Sequence, residues 1–267
     1  MPAILGFRRW RWQWVAGLAL AVMTAACTTA QAPASLAPTI RPSAVVLQPT
    51  PAVTEAVAPT SGRPDCPNPD GGACLGPMAA GTYTSSRFKY PVTYTVPAGW
   101  TNFEDLPGSV AFVPPGGDVA GVDAGTSDAV GIAASVAADS PDCSTQPEPG
   151  LGFSAKDIAE ALAKRAGLTT TKPEAVTVGG LEGYVLDIRL AKGWTKSACS
   201  GEGKPDVPLL IGRPPSDFEN TALGGVAIRL YLLDHGEATT AIEIDDVSGG
   251  GRIAEYMPVI EALKFGP

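Results

Sequence analysis

The sequence predicts an α+β fold: an antiparallel β-sheet of about six to seven strands with helices packed on it, preceded by a disordered Pro-rich tether. Three observations point there. Runs rich in β-branched and aromatic residues recur between residues 89 and 244, bounded by Gly, Pro and Asp. Two segments, 155–166 and 253–263, carry helical rather than alternating periodicity. Residues 28–64 hold seven Pro, eight Ala and six Thr and show neither period. Pro removes backbone donors and fixes φ, so such a segment does not pack.

The elements follow in chain order. Residues 1–26 read as a lipoprotein signal peptide. A basic flank, Arg8-Arg9-Trp10-Arg11, precedes an apolar run from Trp14 to Ala26. As a helix that run spans about 20 Å, short of the roughly 30 Å hydrocarbon core of a bilayer. Its length suits the core of an export signal. The Arg pair lacks the flanking residues of a twin-arginine signal. Ala25-Ala26-Cys27 resembles a bacterial lipobox. The resemblance implies that the Cys27 sulfur carries diacylglycerol and that Cys27 becomes the mature N-terminus. The competing reading is an ordinary secretory leader cut at another bond. Two or more acyl chains, at about 0.8 kcal/mol per buried CH₂, give stable anchoring. Residues 27–64 then form a lipidated N-terminus and linker. In the polyproline form, at ~3.1 Å per residue, it reaches at most on the order of 115 Å.

Four cysteines remain: Cys66, Cys74, Cys143 and Cys199. In an exported chain an even set pairs. Cys66 and Cys74 flank the turn-forming Pro67-Asn-Pro-Asp-Gly-Gly-Ala73. That favours Cys66–Cys74, closing a lead-in segment over 65–82, and leaves Cys143–Cys199. No Cys-x-x-Cys redox or metal spacing occurs.

The domain is expected over 83–267. Residues 89–96 alternate as a strand, and Pro97-Ala-Gly-Trp100 turns the chain. Residues 110–113 form a second strand, stopped by Pro114-Pro115. Residues 129–138 are apolar on both faces, as in one central strand. Ser154 and Asp157 make a capping box, Phe153 and Ile158 stand at staple positions, and Gly167 terminates the helix. Residues 175–178 and 184–190 flank Gly179-Gly180 as a hairpin, and 226–233 and 238–244 flank Asp234-His-Gly-Glu237 as another. Residues 193–224 read as a Gly/Pro-rich insertion. A helix over 253–263, with Pro258 at its start or at a kink, ends in Leu263-Lys-Phe265.

This order, with the strand ending in Val96-Pro97-x-Gly99-Trp100 and the terminal Leu263-Lys-Phe265, resembles the PsbP-like superfamily. That superfamily includes the LpqN group of small exported lipoproteins. The resemblance covers about 83–267. It implies a sheet with helices on it, no shared catalytic residue, and a role as a binding or accessory module.

Charge and chemistry narrow the function. Residues 65–267 carry 14 basic and 26 acidic residues, a balance that repels phosphate backbones and argues against nucleic-acid partners. His235, the one imidazole, reads as an exposed turn residue rather than a general base. No Gly-x-Ser-x-Gly elbow and no phosphate loop occur. Asp118, Asp123 and Asp128 do not fit a compact calcium loop. Glu243, Asp245 and Asp246 alternate along a strand end and read as a solvated acidic surface. No cofactor and no metal site is expected. Trp194, Trp100 and Phe103 are the candidate contacts to a partner or ligand, with Trp100 the one expected to cap the core.

The expectation is a bacterial cell-envelope lipoprotein, lipid-anchored to the outer face of the cell membrane. It is a non-catalytic module whose partner is an envelope protein or a small ligand. The alternatives are an envelope hydrolase using paired carboxylates and a substrate-capturing lipoprotein.

Overall fold

The computed structural model describes residues 76–85, 87–122, 124–197, 199 and 203–266. The lipobox, the linker, Cys27, Cys66 and Cys74 lie outside the described residues.

The elements are β1 (Gly76–Pro77), β2 (Gly81–Thr84), β3 (Val92–Val96), β4 (Thr101–Asp105), β5 (Ser109–Val113), α1 (Val119–Val122), β6 (Ala129–Ala133) and β7 (Val136–Ala138). They continue with α2 (Ala155–Lys164), β8 (Leu168–Thr170), β9 (Glu174–Val178), β10 (Leu181–Leu190), β11 (Asp206–Gly212) and β12 (Glu219–Leu223). β13 (Ala227–His235), β14 (Ala238–Asp246), α3 (Ile253–Glu261) and β15 (Lys264–Phe265) complete the chain. The protein is thus mostly antiparallel sheet with a few helices.

Strands run in the order β1-β4-β5-β6-β14-β13-β10-β8 across a nine-stranded sheet, with β9 also pairing β10. Two smaller sheets, β12-β11-β7 and β15-β3-β2, accompany it. β13 shows how the layers are specified. Its period of two sends Tyr231 and Leu233 to one face and Ile228, Leu230 and Leu232 to the other. The first face packs on Tyr94 and Val96 of β3 and on Tyr256, Val259 and Ile260 of α3. The second packs on Ile158 and Leu162 of α2 and on Leu209 and Leu210 of β11.

α2 forms as its caps require. The Ser154 hydroxyl accepts from Asp157 N at 3.1 Å and donates to Asp157 Oδ2 at 2.7 Å. Phe153, expected to staple onto Ile158, keeps 40% of its surface exposed and carries the Arg213 guanidinium 3.9 Å over its ring. The helix ends at Lys164, one turn of backbone before Gly167. Gly167 is left-handed (φ 87°), and a Cβ there would lie 2.7 Å from the Trp194 ring.

The structure corrects four expectations. The sheet is larger than six to seven strands. The boundary at 83 cuts through β2, and Met78 is already buried in the core. The 129–138 run is two strands, because Ser135 turns left-handed (φ 53°) and carries the chain from the nine-stranded sheet into the β7 layer. The 193–224 insertion holds the β11–β12 hairpin, whose Val207, Leu209 and Leu210 are buried.

Candidate functional site

The densest unusual chemistry lies where β12 crosses β14. Glu243 and Asp245 are two residues apart on β14, so their side chains share a face. It is the face that carries Ala241, and it looks toward the β12-β11-β7 layer. Opposite them on β13 stand Leu230 and Ile228, and on β6 Gly131 and Ala129. Asn220 of β12 donates its amide to Glu243 Oε2 from above. Glu243 is 4% exposed. Its Oε1 and Asp245 Oδ1 are buried and accept no hydrogen bond from any described donor.

Burial, then the neighbouring Asp245, pushes the Glu243 carboxyl well above the usual carboxylate range. Burial also raises Asp245, to about 6, while the adjacent Glu243 carboxyl works against that rise. The expected solvated acidic surface is therefore a carboxyl pair with Glu243 buried and Asp245 half-buried, its Oδ1 turned inward. Period-two spacing put Glu243 and Asp245 on one face, but the strand that covers them comes from the segment read as an insertion.

Asp246, the next residue, points the other way. Its Oδ1 accepts from Ser248 N at 2.7 Å and its Oδ2 from Arg252 N at 2.6 Å, at the start of α3. Burial alone would raise its pKa; these hydrogen bonds bring it below the usual value. Asp128 lies between. Its Oδ1 accepts from Val247 N at 2.8 Å, while its Oδ2 takes the Tyr256 hydroxyl and pairs with Arg252 Nη2 at 2.9 Å.

Across β11 from β12 another buried acid appears. Asp139 follows β7 and has a buried Oδ1 without a hydrogen-bond donor. Burial, and then Glu219 of β12, push it to about 6, while the Ser140 backbone N–H and, less strongly, Arg165 pull it back. Arg165 is itself buried. Its Nη1 donates to Pro208 O at 2.6 Å and its Nη2 pairs with Glu148 Oε2 at 2.5 Å. It floors a groove of about 490 Å³ along α2, walled by Leu151, Asp157, Glu160 and Lys164.

The cysteine expectation is met where it is described: Cys143 and Cys199 form a disulfide with Cα atoms 5.1 Å apart. It joins the loop after β7 to the loop before β11.

The other sequence-selected residues lie apart. Trp100 is 3% exposed and packs edge-on against Tyr256 at 5.9 Å. It caps the core and offers no face to a partner. Phe103 is half-buried on β4, at a register shift between Asn102 and Glu104. Trp194 is half-buried, donates Nε1 to Asp206 O at 3.0 Å and carries Lys196 Nζ 5.1 Å over its ring. His235 is not an exposed turn residue. It ends β13, stacks on Tyr90 at 3.8 Å and meets Phe265 edge-on at 5.8 Å. Burial lowers its pKa, and nearby Lys89 adds to that. Among the described residues, no three His, Cys, Asp or Glu side chains converge to hold a metal ion. Among them, too, no helix is long and apolar enough to cross a membrane.

No family model matches the chain, and no curated protein matches it. A solved structure from Bacteroides thetaiotaomicron VPI-5482 shares 15% identity over 66% of this chain, with a TM-score of 0.33. The chain covers 45% of that protein's length. A likeness at that score bears on neither fold nor function.

Proposed function

We propose that the chain is an exported bacterial cell-envelope lipoprotein. Cys27 carries the lipid, residues 28–64 tether the domain, and a PsbP-like β-rich domain serves as a non-catalytic binding or accessory module. The Cys143–Cys199 disulfide carries this reading. Disulfides persist in oxidising compartments and are rare in the reducing cytosol. The basic flank, the apolar run and Ala25-Ala26-Cys27 supply the export address and the acceptor thiol.

The hydrolase reading takes support from Glu243 and Asp245, which are paired acids with raised pKa values. It ranks second because Glu243 lies beneath Asn220 with 4% of its surface exposed. A general acid must reach its substrate's oxygen within hydrogen-bond distance.

Metabolic labelling with radioactive palmitate tests the proposal. The wild-type chain takes up label and sediments with membranes. Cys27→Ala loses the label and appears in the soluble fraction. Unlabelled wild-type protein, or a Cys27→Ala variant that still sediments with membranes, would overturn the anchor.

A further inference from the structure

All three buried side-chain oxygens that lack a hydrogen-bond donor among the described residues belong to acids in or against the β12-β11-β7 layer: Glu243, Asp245 and Asp139. Two of them, Glu243 Oε1 and Asp245 Oδ1, lie on one face of β14. Glu243 is buried, Asp245 half-buried, and each has one buried oxygen without a donor or cation among the described residues. Two ionised carboxylates so placed repel each other at low local dielectric. One proton removes the conflict, since a protonated carboxyl donates to its ionised neighbour and satisfies both oxygens.

The strands that flank the pair present no counter-charge to it among their described residues. β13 presents Leu230 and Ile228, and β6 presents Gly131 and Ala129. β12 presents the neutral Asn220. The segment before β6 adds a further acid, Asp128, which draws the Arg252 guanidinium of α3 to itself. Asp246 faces away, toward α3. On the outer side of the layer, Asp139 meets Glu219, with Arg165 the opposing charge.

We propose that Glu243 and Asp245 hold one shared proton in the folded protein, and that this proton latches the β12-β11-β7 layer onto the nine-stranded sheet. Glu243 carries the proton and donates it to Asp245, while its Oε2 accepts from Asn220. Loss of the proton to solvent leaves two facing carboxylates under β12, and the layer loosens. The raised pKa values agree in direction. An acid whose folded pKa exceeds its unfolded one binds more protons folded. Its stabilisation is complete below the unfolded pKa and is lost as pH rises through the folded value. For this pair the loss begins near pH 4, passes through about 6 for Asp245 and continues above it. The latch is therefore shut in acid and released toward alkaline pH.

The test uses the full chain in detergent with its disulfide intact. The wild-type melting temperature falls by about 4 °C or more between about pH 5 and pH 8. Over the same range, hydrogen exchange corrected for intrinsic rate loses about tenfold more protection across 206–223 than across 227–246. Glu243→Gln keeps a neutral donor toward Asp245 and an acceptor for Asn220. It flattens the profile and melts above wild type at the alkaline end. Asp245→Asn also flattens the profile. A wild-type melting temperature that is flat or rises with pH would overturn the latch. So would a Glu243→Gln variant with the wild-type slope. Millimolar calcium that raises the alkaline melting temperature in wild type, but not in Glu243→Gln, would show that a cation rather than a proton joins the pair.

Discussion

Asp245 and Asp246 are consecutive residues at the end of β14, and they live in opposite electrostatic worlds. Asp246 faces α3, where backbone and hydroxyl donors saturate it and hold its pKa down. Asp245 faces the β12 layer, where burial raises its pKa and one oxygen finds no donor. The difference extends along the whole sheet. The α3 face buries Tyr94, Trp100, Phe112 and Tyr256 around hydrogen-bonded acids. The α2 face is mainly aliphatic, with Phe218 its one buried ring among the described residues, and it places acids under a hairpin whose leading loop is held by a disulfide. A strand's alternation thus sends neighbouring carboxylates to different fates. What decides each fate is whether backbone N–H groups are free at that spot, as they are at a helix start.

The comparison can be broken most forcefully through the aromatic face. Phe112→Ala removes a fully buried ring between Tyr94 and the sheet. It should cost about 3–5 kcal/mol in urea unfolding. A cost within experimental error of zero would mean that this face is not the tightly packed one. Next comes the stapled layer. Replacing both Cys143 and Cys199 by Ser opens a closure across 56 residues and should cost about 2–4 kcal/mol. Exchange protection should drop most over 206–223. A loss spread evenly over the sheet would contradict the view of that hairpin as a separately fastened layer.

The smallest effect sharpens the contrast between the neighbours. Asp246→Ala strips the acceptors from the first turn of α3 and should cost about 1 kcal/mol near neutral pH. Its pH dependence has the opposite sign to that of Asp245. A depressed folded pKa contributes stability above the unfolded value and loses it as pH falls through the folded one. The wild-type advantage over Asp246→Ala should therefore shrink on acidification, as read by melting curves below about pH 4.

Much of the fold was legible because local chemistry and tertiary structure agree. Ser154 and Asp157 fix the start of α2 through their own backbone demands, whatever packs on it, while the helix stops at Lys164 with Arg165 extended, ahead of the expected terminator Gly167. Gly179-Gly180 and Gly236 allow the positive φ of their turns, so both long hairpins are readable. The β11–β12 hairpin was hidden by Pro208 and Gly212, which break the strand signature, and by a register shift at Pro208–Leu210. Only the cover of other layers makes those residues a strand. Thr101–Asp105 was missed for a related reason: its polar residues pair as a strand beside β5 and carry a register shift of their own. The acids of β14 were visible as an alternating set, yet their burial was not. Burial there depends on β12, whose strand character the local sequence does not show. The cysteines show the converse, since parity together with the turn chemistry between Cys66 and Cys74 leaves a Cys143–Cys199 pair that lies 56 residues apart in the chain.

One further consequence comes from Ser135. β6 and β7 are a single run of chain that changes sheets at that residue, where Arg213 N donates to Ser135 O at 2.8 Å. The two layers are therefore joined at that point, and again where residues 224–226 carry β12 into β13. If the layers part, they swing about the line through these two joints, and the side chains farthest from that line travel most.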